Sequence, residues 1–139
     1  MKRLQKLKKQ LGFTLIELLI VMAILAMLAA LVGPAIFGNL GRGQRATAQT
    51  QMSSLEAALD SYRLDMSRYP ESLNGLISND SGRPNWSGPY LRADRVPLDP
   101  WGNEYVYELT SNGRDFNLLS LGADGAPGGE GDDADIVNN

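Results

Sequence analysis

Four aspartates and one glutamate crowd residues 124–135 among four glycines: Asp124, Glu130, Asp132, Asp133 and Asp135. Carboxylates this dense repel one another, and a folded loop that holds them wants a cation. The charged side chains there offer only oxygen, and glycine-rich backbone can turn its carbonyls inward. That donor set suits Ca2+ rather than zinc or copper. The D-x-[DN]-x-[DN]-G spacing of an EF-hand is absent. A solvated, disordered acidic tail has the same composition, so these residues alone leave both readings open. A further carboxylate stands apart: Glu17 opens a long apolar run. A charge beside hydrocarbon is costly and usually has a partner, unless it rests at headgroup depth.

No catalytic set accompanies these acids. The chain has no His and no Cys, which removes the commonest general base, the usual zinc ligands and any disulfide. Ser and Asp are present with nothing to link them, and no Lys stands in a nucleophile setting. A GxxxxGK[ST] phosphate loop is absent, so this chain is not a source of nucleotide energy. Asp99-Pro100-Trp101-Gly102 invites a ligand-site reading, but a turn is the stronger one: Pro fixes it, Gly ends it and Trp101 caps a small core. Trp86 fits either a core or a ligand role.

The elements that must position these groups begin with charge asymmetry. Residues 1–10 carry five bases and no acid; without them, 8 bases face 16 acids. An acidic body lacks the basic stripe that nucleic-acid binding needs. Residues 18–37 are 20 positions without a charge, and as a helix they span roughly 30 Å, enough to cross a bilayer core. The basic start places the N-terminus in the cytoplasm and the remainder across the membrane. About 100 residues are then left for one small domain. Gly33-Pro34 should kink or loosen the helix, and Gly38, Gly41 and Gly43 weaken it further. Residues 33–43 therefore read either as a hinge or as a segment that unwinds when subunits pack.

Residues 45–69 are expected to form an amphipathic helix. Met52, Leu55, Leu59, Tyr62 and Met66 recur at three- and four-residue steps, with Arg45, Gln49, Glu56, Asp60 and Arg63 on the wet side and Pro70 as the stop. A short helix over 71–77 and a loop over 79–89 follow. Residues 104–109 alternate as a strand, Ser111-Asn112-Gly113 signals a turn, and 116–121 return. The expected fold is α+β: a long N-terminal helix, half transmembrane and half amphipathic, packed on a small antiparallel sheet that leads into the acidic loop.

Gly12-Phe13-Thr14-Leu15-Ile16-Glu17 after a basic leader resembles the class III signal of type IV pilins and pseudopilins. Gly88-Pro89-Tyr90-Leu91, Pro97-Leu98-Asp99-Pro100-Trp101-Gly102 and Ser120-Leu121-Gly122-Ala123-Asp124-Gly125 narrow the resemblance to the major pseudopilins of type II secretion systems, along essentially the whole chain. The resemblance implies that a prepilin peptidase cuts after Gly12 and methylates Phe13. It divides the chain into a cytoplasmic leader (1–12), a transmembrane and filament-core helix (13–37) and a soluble head (38–139). The new amine at Phe13 would pair with Glu17, registering one subunit against the next. It also implies one calcium in the C-terminal loop, with Asp124 and the cluster Asp132, Asp133 and Asp135 as side-chain ligands and the carbonyls of Leu121 and Ala126 as additional ones. Such a loop closure would stand in for the missing disulfide.

The implied function is structural. The subunit leaves the inner membrane, where lipid surrounds it, for a helical homopolymer in the periplasm, the pseudopilus, whose growth pushes folded proteins through an outer-membrane secretin. Implied partners are minor pseudopilins at the tip, an inner-membrane platform and its ATPase. Two rivals stand beside this reading. A type IV pilin for adhesion, motility or DNA uptake shares the N-terminal signal, but the absence of Cys and the acidic loop count against it. An exported calcium module released near Met27-Leu28-Ala29-Ala30 gives Gly12, Phe13 and Glu17 no role.

Overall fold

A computed structural model describes residues 12–138; of the leader expected over residues 1–12, all but Gly12 lies outside them. The chain divides into two units, Met1–Gly38 and Asn39–Asn139. Helix α1, Leu15–Met66, contributes to both. Thr14 caps it: the Thr14 hydroxyl accepts from the Glu17 N–H at 3.3 Å, and a Glu17 carboxylate oxygen accepts from the Thr14 N–H at 3.5 Å. This reciprocal capping box satisfies two donors that a helix start leaves bare.

In the first unit, every large apolar side chain from Leu15 to Phe37 is exposed, and none of its most apolar stretch is buried within the protein. So large an apolar surface demands lipid or protein around it. Gly33 and Pro34, where the helix is expected to kink or loosen, lie inside α1. Pro34 removes one donor and crowds one carbonyl, a cost confined to that turn.

The second unit is organised by the amphipathic face of α1. Ala48, Met52, Leu55, Ala58, Leu59, Tyr62 and Met66 are buried, following the expected spacing with two alanines added. The helix stops at Met66, three residues before the expected Tyr69. Ser67 adopts φ 60° and donates its N–H to the Arg63 carbonyl at 2.8 Å, a left-handed terminator that acts before Pro70 is reached. A 3-10 turn, Leu73–Leu76, buries Leu73 and Leu76 beneath the following loop. Trp86 is half-buried there: its indole N–H donates to the Gly75 carbonyl at 2.9 Å, and its ring meets Tyr90 edge-on.

Strands β1, Val106–Thr110, and β2, Asp115–Ser120, form an antiparallel hairpin across the Ser111–Gly113 turn. A third strand, β3, Ile136–Val137, pairs antiparallel with β2 and completes the order β1-β2-β3. Leu118 and Ile136 face the buried side of α1 with Tyr105. The Tyr107 hydroxyl donates to the Pro70 carbonyl at 2.7 Å, and Tyr105 donates to Gln51. Burial keeps both phenols protonated, pushing Tyr105 up to about 12 and Tyr107 up as well. The sheet thus holds both ends of the acidic segment, since β2 leads into it and β3 leads out.

Candidate functional site

At the N-terminus, Gly12, Phe13 and Thr14 precede the first helical turn, and Phe13 is 89% exposed. The Gly12–Phe13 peptide therefore lies outside the helical ladder. Glu17 sits one turn further on, where its carboxylate serves the capping box. The spacing Thr14-x-x-Glu17 is the sequence signature of that motif.

The acidic loop, residues 121–135, is anchored at its first end by a buried polar cluster. Asp99 is 4% exposed. Its carboxylate accepts from the Trp101 N–H at 3.1 Å, the Asn103 N–H at 2.8 Å and the Ser120 hydroxyl at 2.7 Å. Each of those donors would cost about 1–3 kcal/mol if left buried without a partner. The 97–103 turn is thereby locked, as the turn reading of Asp99-Pro100-Trp101-Gly102 requires. From that turn the Asn103 side chain donates to the Gly122 carbonyl at 3.1 Å. Gly122 itself has φ +74°, and a Cβ there would meet the Asp133 carbonyl at 2.8 Å, so only glycine lets the two arms of the loop come this close. The Ala123 N–H donates across the loop to the Asp132 carbonyl at 2.9 Å.

The far end is anchored by α1. One guanidinium nitrogen of Arg45 donates to the Ala134 carbonyl at 2.8 Å and to the Gly131 carbonyl at 3.1 Å. Arg45 is half-buried and does not take the wet side assigned to it. One turn earlier, a Cβ on Gly41 would overlap the Asp132 carboxylate, which rests directly on the helix backbone.

The expected calcium ligands are thus sorted rather than gathered. Asp124 accepts from the Ala126 N–H at 3.1 Å, in a local turn that also contains the Ala126 carbonyl. Asp132 leans on Gly41, and Asp133 lines the loop through its backbone. One oxygen of Asp135 accepts from the Gly128 N–H at 3.0 Å; the other is buried with no partner. Leu121 lies half-buried where β2 gives way to the loop. Among the described residues, no three acidic side chains converge on one point. Asn103, Ser120, Gly41 and Arg45 escaped sequence reasoning, because each acts through a contact far away in the chain.

Residues 35–139 match the family described as Type II secretion system (T2SS), protein G. The chain belongs to that family. Residues 7–33 also match the Prokaryotic N-terminal methylation motif. Among protein G relatives, the type II secretion system core protein G of Vibrio cholerae is 41% identical over 97% of this chain and 95% of its own. That of Pseudomonas aeruginosa is 41% identical over 94% of this chain and 96% of its own. The crystal structure of the major pseudopilin from the type 2 secretion system of enterohaemorrhagic Escherichia coli superposes with a TM-score of 0.59 at 35% identity, covering 73% of this chain and 91% of that one. The protein G fold, one long helix on a three-stranded antiparallel sheet, is the fold described above. The functional class follows: a structural pseudopilin of type II secretion, with the adhesive or DNA-uptake pilin reading not favoured.

Proposed function

We propose that this protein G family member is the major structural subunit of a periplasmic pseudopilus whose growth drives folded proteins across the outer membrane. The observation that carries the reading is the pairing, in one chain, of a wholly exposed apolar helix with a small head of protein G fold. An apolar helix drawn out of lipid needs equivalent apolar contact, and helices of identical copies provide it. Head-to-tail contacts whose rotation does not close give open helical filaments. The inserted subunit crosses the inner membrane once, with its N-terminus in the cytoplasm and its head in the periplasm. Prepilin peptidase removes residues 1–12 and methylates Phe13. The platform and its ATPase extract the subunit, minor pseudopilins occupy the tip, and the secretin passes the cargo.

Ca2+ in the acidic loop belongs to the same reading. The donors are hard oxygens, and the partnerless buried oxygen of Asp135 is what a cation would satisfy. Asp124 and Asp135 are the side chains best suited to hold it, with Asp132 or Asp133 completing the set and the Leu121 and Ala126 carbonyls assisting. Bound there, the ion would tie the loop into one closed unit. Arg45 and Asn103 hold the loop's two ends in either case.

Deletion of the gene should leave folded type II cargo in the periplasm, and the restored chain should return it to the medium. Unchanged secretion, with motility or DNA uptake lost instead, would replace this function with that of a pilin.

A further inference from the structure

The loop and α1 meet at one built contact whose parts have no other evident use. Arg45 spends one guanidinium nitrogen on two carbonyls, Gly131 and Ala134, that bracket Asp132 and Asp133 and adjoin Asp135. A single turn away, Gly41 is buried and offers bare backbone to the Asp132 carboxylate. Glycine is a poor helix former, so its presence inside α1 needs a reason, and that seat provides one. The segment carrying Asp132, Asp133 and Asp135 is thereby fixed to α1 at two adjacent turns.

We propose that Arg45 and Gly41 form a docking seat that positions the acidic arm for its cation and couples cation binding to the order of α1 over residues 41–48. Arg45 is a positioning residue: its bonds go to backbone carbonyls and not to any carboxylate. The inference rests on the calcium reading of the loop and deepens it. Two effects of Arg45 on affinity oppose each other. Its positive charge repels a divalent cation, but at a half-exposed site salt and water screen that repulsion. Its bridge between Gly131 and Ala134 orders the arm in advance, and a binding reaction relieved of that ordering is tighter. Preorganisation outweighs the screened repulsion, so removing Arg45 weakens binding. Coupling is reciprocal: a cation that orders the arm also holds the first turns of the head's helix.

The test uses the full chain in detergent micelles, with Ca2+ titrations and amide hydrogen exchange with and without the ion. In the parent chain, Ca2+ should slow exchange over 131–137 and also over 41–48. Arg45→Gln should bind Ca2+ about tenfold more weakly, or about 1.4 kcal/mol, and lose the protection over 41–48, while exchange around Leu55 and Leu59 stays slow. Arg45→Lys keeps the charge, but its side chain is one atom shorter and its ammonium falls short of the two carbonyls, so it should resemble Arg45→Gln. Gly41→Ala approaches the seat from the other side: it improves helix propensity yet displaces Asp132, so weakened Ca2+ binding there cannot come from a weakened helix. Parent-like affinity and protection in both Arg45→Gln and Gly41→Ala would overturn the docking seat and leave the calcium reading standing. A parent chain that binds no Ca2+ would overturn that reading, and the proposal with it.

Discussion

Cells whose chain carries Glu17→Ala should keep the protein in the membrane and build no filaments. Insertion depends on the charge-free run 18–37, and removing a carboxylate from the edge of hydrocarbon does not oppose it. The proposed assembly role rests on the charge. The amine created at Phe13 would meet Glu17 of a neighbour in a setting poor in water, where a charge-assisted bond contributes about 1.5–3 kcal/mol. Its loss amounts to roughly tenfold to a hundredfold per contact, repeated at every added subunit. The structure supplies a competing explanation, because Glu17 also caps α1 with Thr14. Ala keeps the Thr14 cap but loses the reciprocal bond from the Thr14 N–H, which also loosens the helix start, so Ala alone does not separate the two roles. Glu17→Gln does: glutamine serves a capping box as well as glutamate, but it carries no charge. Glu17→Gln should fail to assemble as completely as Glu17→Ala, with membrane fractionation unchanged for both. Filaments restored by Gln would assign Glu17 to the cap, and normal filaments from Ala would remove it from assembly altogether.

Chelating Ca2+ should lower the melting temperature of the full chain in detergent by about 10–20 °C and open the acidic loop to protease. The motive is the buried Asp135 oxygen without a partner, in a loop dense with carboxylates. A ligand at a hundred times its dissociation constant stabilises by about 2.7 kcal/mol, and each kcal/mol moves a head of this size by about 4–8 °C. Asp135→Asn should melt with or without Ca2+ near the temperature of the chelated parent chain. Cleavage should concentrate between Gly122 and Ile136, because the Arg45 and Asn103 anchors hold only the ends. A melting curve and digestion pattern indifferent to chelator would leave the loop without its cation.

What was legible in the chain is what repeats at short range. The three- and four-residue spacing from Met52 to Met66 marks the buried face of α1, because helical geometry alone brings those positions together. The alternation around Val106 and the Ser111-Asn112-Gly113 turn mark the hairpin for the same reason. Strand β3 was not legible: two residues, Ile136 and Val137, hold no period, and their pairing is decided by β2. Arg45 looked like any solvated charge on a polar face; its carbonyl partners lie 86 and 89 residues away. The turn at Asp99 was readable from its Pro and Gly, but its third donor, Ser120, sits 21 residues on. Composition singled out the acidic loop and could not rank its acids. The structure adds only local contacts: Asp132 rests on Gly41, and one Asp135 oxygen is buried without a partner.

With the proposed cut after Gly12, the apolar helix stays with the mature subunit. The measurement that tests it most directly is the intact mass and N-terminal sequence of the protein taken from its native membrane. The expected result is a chain that begins at methylated Phe13 and retains Glu17 and the whole of α1. A chain beginning near Ala30 would contradict it, leaving an exported head with no membrane helix, no role for Glu17 and no means of building the filament core.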